Sequence, residues 1–121
     1  MNLLIVDDEY LVVEEVVTVT DWELLGITEI YSATNAVSAV RILNEKKIDI
    51  MICDIEMPQT DGLELSKKAK ENFPDLEIVM LTSHAEFNYV RNALRYGCYD
   101  YLLKPVMEDD IIKVMKNLVT K

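Results

Sequence analysis

Ile48-Asp49-Ile50-Met51-Ile52-Cys53 runs directly into Asp54 and then into the turn-rich stretch Met57-Pro58-Gln59-Thr60-Asp61-Gly62. An apolar run this short, bounded by Pro, Asp and Gly, has the length of a buried strand rather than of a helix. Three further runs share the build. Leu3-Leu4-Ile5-Val6 ends in Asp7-Asp8, Glu77-Ile78-Val79-Met80-Leu81 stops at Thr82, and Tyr99-Asp100-Tyr101-Leu102-Leu103 stops at Lys104-Pro105. Helical stretches separate the runs, which is the pattern of a parallel sheet. In open parallel sheets ligands bind beyond the carboxyl ends of the strands. Three carboxylates, a hydroxyl and an ammonium are therefore expected to converge at one end of the molecule.

The 121 residues suffice for one domain, 1–121, that closes its core without disulfides or a structural metal. A composition of 50% hydrophobic and 28% charged residues is ordinary for a soluble globular fold. No apolar stretch approaches the roughly 20 residues that span a bilayer. The N-terminus lacks the basic flank and cleavage site of a signal peptide. A cytoplasmic protein with no membrane partner is expected. The net charge of −10 argues against direct nucleic-acid binding by this domain, which takes clustered Lys and Arg. Cys53 and Cys98 match no metal-ligand spacing and are expected to be packed rather than redox-active.

Along the chain the order is strand then helix, five times over. A first helix from Asp8 or Glu9 to about Thr18 carries Leu11, Val12, Val16 and Val19; residues 21–25 form a short turn closed by Gly26. Residues 27–33 alternate as a half-exposed edge strand. Asn35 N-caps a helix to about Lys46, with Val37, Val40 and Leu43 on one face. A third helix runs to about Asn72, with Leu63, Leu65 and Ala69 apolar and Lys67, Lys68 and Lys70 solvated. A fourth covers 85–96 and ends at Gly97. The last, from about Met107 towards Leu118, has Glu108, Asp109 and Asp110 in its first turn. Right-handed crossovers and five strands give an α/β fold of flavodoxin-like order 2-1-3-4-5, with helices on both faces of the sheet.

Three carboxylates cannot share a small crevice in the ionised state without a compensating charge. Hard oxygen donors with no His or Cys among them point to Mg²⁺, which uses one or two carboxylates, waters and a phosphate. The only histidine, His84, does not make a zinc site. Carboxylates, Mg²⁺ and a lysine are the parts of a phosphoryl-transfer site. Asp54, central in the sheet, is the expected nucleophile; Asp8 is the expected direct metal ligand and Asp7 a ligand through water. Thr82 and Lys104 would each meet a phosphoryl oxygen.

On these residues the chain resembles a response-regulator receiver domain of two-component signalling over essentially its whole length. The resemblance is carried by Asp7-Asp8, Asp54 with Met57-Pro58 and Asp61-Gly62, Thr82-Ser83, Tyr101 and Lys104-Pro105, in order and each near a strand end. It implies that Asp54 takes phosphate from a sensor histidine kinase's phosphohistidine. Mg²⁺ would be held by Asp8, Asp54 and the backbone carbonyl of Glu56, and the Lys104-Pro105 bond would be cis. Thr82 would move towards the phosphoryl group and Tyr101 swing inward. Both movements would bias a surface made of the fourth helix, fifth strand and fifth helix, a face through which receivers often form phosphorylation-dependent homodimers.

A looser likeness, in Asp21-Trp22, Leu25-Gly26, Glu86-Phe87 and Tyr99-Asp100-Tyr101, is to receivers joined to AraC-type DNA-binding output domains. Lys121 stands where such a linker would begin, consistent with a stand-alone or an excised receiver.

The expected protein is thus a phosphoacceptor that catalyses its own modification, not a turnover enzyme. Two rivals are an Mg²⁺-dependent aspartyl-phosphate phosphohydrolase and a phosphorylation-independent docking module. The first would need a second Asp two residues past the nucleophile, where Glu56 stands, and a cap for which 121 residues leave no room. The second would be expected to lose the acidic pair or the lysine. Glu56 and His84 flank the site and are expected to tune the lifetime of the phosphorylated state.

Overall fold

The computed structural model of the protein describes residues 1–57, 62–83, 91, 94–95 and 97–120. Strands β1 (Asn2–Val6), β2 (Glu29–Ala33), β3 (Ile50–Asp54), β4 (Glu77–Thr82) and β5 (Asp100–Leu103) form one sheet. All pairs are parallel and the order is β2-β1-β3-β4-β5, as expected. The described helices are α1 (Tyr10–Thr18), α2 (Ala36–Glu45), α3 (Gly62–Asn72) and the C-terminal α4 (Glu108–Thr120). The helix expected over 85–96 lies almost wholly outside the described residues. At its end Gly97 has φ +88°, a left-handed value that glycine adopts without strain, and its N–H donates to Leu94 O at 3.2 Å.

The sheet separates two apolar layers. Leu4, Val6, Met51, Cys53, Ile78 and Met80 pack on one side against Ala39 and Leu43 of α2 and Leu63, Leu65 and Ala69 of α3. On the other side Leu3, Ile5, Ile50, Ile52, Val79 and Leu81 meet Val13 and Val16 of α1 and Ile111, Val114 and Met115 of α4. Central strands covered on both faces must be apolar at every position, which is why the deciding runs show no alternation.

Several boundaries shift. β3 starts at Ile50 rather than Ile48, because the Asp49 carboxylate turns to accept the Asn2 N–H at 2.7 Å. β2 starts at Glu29, since the preceding Ile27 N–H closes onto Trp22 O. Trp22 is buried, and its indole Nε1–H donates to Val16 O at 2.9 Å, satisfying a carbonyl in the last turn of α1. Asn35 caps α2 as expected, accepting the Ser38 N–H at 2.8 Å.

Two helices bury only part of the face read from the sequence: Leu43 of α2 and Val16 of α1 are inside as expected. In α2, Ala39 and Leu43 are buried while Val37 is 80% exposed and Val40 is also exposed. In α1, Val13 and Val16 are buried and Leu11 is 71% exposed. With Ala39 and Leu43 on the inner face, helical periodicity leaves the two valines on the outer side. Nor is Lys70 a solvated charge: its Nζ donates to Leu76 O at 2.7 Å from a half-buried position.

Candidate functional site

Strand register builds the site. Val6 pairs with Cys53, so the next residues, Asp7 and Asp54, stand side by side at the ends of β1 and β3. Asp54 pairs with Leu81, and Thr82 pairs with Leu103, which sets Thr82 and Lys104 one step further across the sheet. Ladder-type hydrogen bonds continue just past the strands. The Asp7 N–H donates to Ala33 O at 3.1 Å and the Lys104 N–H to Thr82 O at 2.8 Å, so both backbones are held by the sheet rather than by loops. The Lys104-Pro105 peptide is cis.

The side chains converge. Asp7, Asp8 and Asp54 each offer a carboxylate oxygen, all within 4.8 Å of one another. Asp7 is fully buried, Asp54 is 3% exposed and Asp8 is open to solvent. Lys104 Nζ lies 2.8 Å from Asp7 Oδ2 and 3.3 Å from Asp54 Oδ1. Asp7 Oδ1 accepts the Glu9 N–H at 2.9 Å, and Asp54 Oδ1 accepts the Glu56 N–H at 3.3 Å. Among the described residues the ammonium of Lys104 is the one partner of Asp7 Oδ2.

Among the described residues the charges do not balance: three carboxylates face one ammonium. Burial, reinforced by the neighbouring Asp7 charge, pushes the Asp54 carboxyl up to about 6 against the downward pull of Lys104 and the Glu56 N–H. Burial alone would lower Lys104, but its contacts with Asp7 and Asp54 outweigh that and hold it above its ordinary value. A cluster of hard oxygen donors with one raised carboxyl, and with no nitrogen or sulfur ligand among the described residues, fits a small hard cation. The structure thus brings together Asp7, Asp8, Asp54 and Lys104.

Thr82 is fully buried at the end of β4, on the rim of the same crevice. Tyr101 is half-buried in β5 and packs against the apolar layer that holds α2 and α3. The Glu56 side chain is exposed, one residue beyond the Asp54–Ile55 step. His84, like Pro58 and Asp61, lies outside the described residues. Cys53 and Cys98 are buried and free; burial raises both thiols, Cys98 to about 11 and Cys53 further still.

One residue gains a role that the sequence reading did not give it. Gly62, read as a turn former, is packed so closely beneath the acid that a Cβ there would lie 1.9 Å from Asp54 O and 2.9 Å from Ile55 Cα. Its N–H donates to Ile55 O at 3.0 Å, closing the loop that leaves β3. The available signal was a glycine opening a helix, where a better helix former would otherwise stand.

This fold and acidic crevice define a class of protein, and comparison with known sequences agrees. The family model described as the response regulator receiver domain matches residues 3–116, and the chain belongs to that family, the receivers of two-component signal transduction. YesN, an uncharacterized transcriptional regulatory protein of Bacillus subtilis, is 34% identical over 120 residues, covering 99% of this chain and 33% of YesN. YhcZ, also an uncharacterized transcriptional regulatory protein of that organism, is 32% identical over 117 residues, 93% of this chain and 52% of its own. The chain spans between a third and about half the length of these relatives. Among solved structures, the receiver domain of AraT, a response regulator from Geobacillus stearothermophilus, is 30% identical with TM-score 0.86, covering 98% of this chain and 95% of that one. A two-component transcriptional regulator AraC from Clostridium phytofermentans superposes at TM-score 0.89 with 24% identity, over 99% and 93% of the two chains, and speaks for the fold. Among the described residues no helix is long and apolar enough to cross a membrane.

Proposed function

We propose that Asp54 is the phosphoacceptor of a response regulator. A carboxylate oxygen of Asp54 attacks the phosphorus of a sensor histidine kinase's phosphohistidine. The new O–P bond forms as the P–N bond breaks, and the imidazole leaves with the electron pair and takes up a proton. The observation that carries this reading is the buried Asp54 carboxylate, flanked within 4.8 Å by two further acids and at 3.3 Å by the Lys104 ammonium. Asp8, Asp54 and the backbone carbonyl of Glu56 would hold Mg²⁺ directly and Asp7 through water. When bound, the ion neutralises charge on the phosphoryl oxygens. Lys104 exchanges part of its contact with Asp7 and Asp54 for a phosphoryl oxygen, and the Thr82 hydroxyl donates to another.

Movement of Thr82 and Tyr101 would then bias a surface that includes β5 and α4, the surface that reaches an output domain or a second copy of the chain. The transcriptional relatives support an output acting on DNA, of AraC type by the likeness in Asp21-Trp22, Leu25-Gly26 and Tyr99-Asp100-Tyr101, with this unit itself, 1–121, binding none. The chain modifies itself and turns over no substrate, and it works beside its kinase in the cytoplasm. Acetyl phosphate with Mg²⁺ should add one phosphoryl mass to the intact chain and none to Asp54→Asn. Equal uptake by the two would overturn the assignment of Asp54, and no uptake by the unaltered chain would leave only the docking module.

Glu56, exposed beside the acceptor, and His84 set how readily water reaches the phosphoryl group in this reading. Replacing both with alanine should change the dephosphorylation rate by about 5-fold or more while phosphorylation is retained. Decay of the radiolabelled protein measures this, and an unchanged half-life would remove these two side chains from the mechanism.

A further inference from the structure

At the opposite edge of the sheet from β5, strand β2 is an outer strand: it pairs with β1 and with no other strand among the described residues. In a parallel pair, residues that bond across to the neighbour alternate with residues whose N–H and C=O point the other way. Ala33 O accepts the Asp7 N–H, so Ala33 and Tyr31 face β1, and the backbone groups of Ile30 and Ser32 face outward. Outer strands are usually blunted by Lys, Pro or a bulge. Glu29-Ile30-Tyr31-Ser32-Ala33 carries neither residue and pairs with β1 in unbroken register.

This open edge forms one wall of a groove of about 690 Å³, whose other wall is α1. Its floor and sides are apolar, from Leu11, Val17 and Ile30, with Tyr10 and Leu11 61% and 71% exposed. Among the described residues its charged lining is acidic, from Glu14 and Glu15, with no Lys or Arg. On the far face of the strand the Lys46 ammonium lies over the Tyr31 ring, 5.9 Å from its centre, outside the groove. A helix lying along an open strand is the arrangement in which extended peptides add to a sheet, with main-chain bonds supplying affinity and alternate side chains supplying choice.

We infer that the β2–α1 groove binds an extended cationic peptide segment of a partner protein, which adds to the sheet as a sixth strand beside β2. On the face turned to α1, its apolar side chains lie on Leu11 and Ile30 and its Lys or Arg side chains meet Glu14 and Glu15. A second copy of this chain is the poorer occupant. Edge-to-edge pairing would bring two Glu14–Glu15 rims together on molecules that each carry a net charge of −10. The groove is separate from the phosphoryl site, and its occupation does not require phosphate.

The isotope-labelled chain, titrated with a roughly ten-residue peptide of repeating valine-threonine-lysine-threonine, which sets valine and lysine on the same face of the strand, tests this. Amide shifts are expected along residues 10–18 and 30–32, and hydrogen exchange at the Ile30 and Ser32 amides should slow by about 10-fold or more. Ile30→Pro removes one outward N–H and spares the pairing with β1; it should weaken binding about 10-fold. Glu14→Lys with Glu15→Lys should weaken it at least as much, and a lysine-to-glutamate version of the peptide should not bind. If Ile30→Pro does not fold, the charge-reversed variant and the exchange measurement on the unaltered chain decide. The proposal is overturned by no binding at millimolar peptide, by binding that leaves the Ile30 and Ser32 amides unprotected, or by indifference to charge reversal. Concentration-dependent dimers that compete with the peptide and disappear in the charge-reversed variant would assign the groove to a second copy instead.

Discussion

Asp54→Asn is expected to melt at a higher temperature than the unaltered protein in metal-free buffer above about pH 7. The Asp54 carboxyl titrates near 6 in the fold against 3.8 as its ordinary value, because burial and Asp7 oppose its charge. A raised acid contributes stability that is fully present below its unfolded pKa and is lost as pH climbs through the folded one. Between about pH 4 and pH 6, therefore, the unaltered protein gives up on the order of 1–3 kcal/mol, discounted for the open mouth of the crevice. Asparagine, which does not ionise, gives up none of it. The amide oxygen can still accept from Lys104, so the gain is not offset by a stranded ammonium. Magnesium should raise the melting point of the unaltered protein more near neutrality than near pH 5, and raise the variant far less. Scanning calorimetry at two pH values, with and without the ion, measures all of these. Coincident melting curves for the two proteins at neutral pH would show that the acid is not held against its charge.

Gly62→Ala should lower stability by about 3 kcal/mol, and the sign is the informative part. In a helix, alanine is favoured over glycine by about 1 kcal/mol, so propensity alone predicts a stabilised protein. Packing predicts the reverse, since the new methyl would overlap the Asp54 carbonyl oxygen at 1.9 Å. The obstruction is main chain, so no change of rotamer relieves it. Either α3 or the end of β3 must shift, and the end of β3 carries the acceptor. In the proposed function the variant also takes phosphate from acetyl phosphate more slowly, even at temperatures where it remains folded. Urea denaturation gives the sign directly, and a higher midpoint for the alanine protein would refute the close approach of helix and strand.

The sheet and its order were legible because buried parallel strands leave an unbroken apolar mark that ends where the chain meets solvent. The converging polar groups were legible for the same reason: Asp7, Asp54, Thr82 and Lys104 each terminate or follow such a run. What escaped the sequence depends on contacts between distant residues. Val37 and Val40 look like the natural inner face of α2, yet Ala39 lies inside and the two valines outside. Leu11 looks buried by periodicity and lies on the surface. Lys70 reads as one of several solvated lysines, and only the fold brings Leu76 O within its reach. Gly62 matched a turn, whereas its reason for being glycine is the backbone it touches. The direct pairing of Asp7 with Lys104 was equally hidden, since the sequence separates them by most of the chain.

Both thiols lie inside the apolar layer beneath α2 and α3, and their acidity is suppressed by that burial. Alkylating reagents attack the thiolate, so the folded molecule should be inert to them and only opened molecules should react. The chain accordingly carries a built-in clock for its own unfolding. Because Cys53 immediately precedes Asp54, any ligand or modification that tightens the acidic crevice should slow that clock, which can be followed by the mass of the alkylated product.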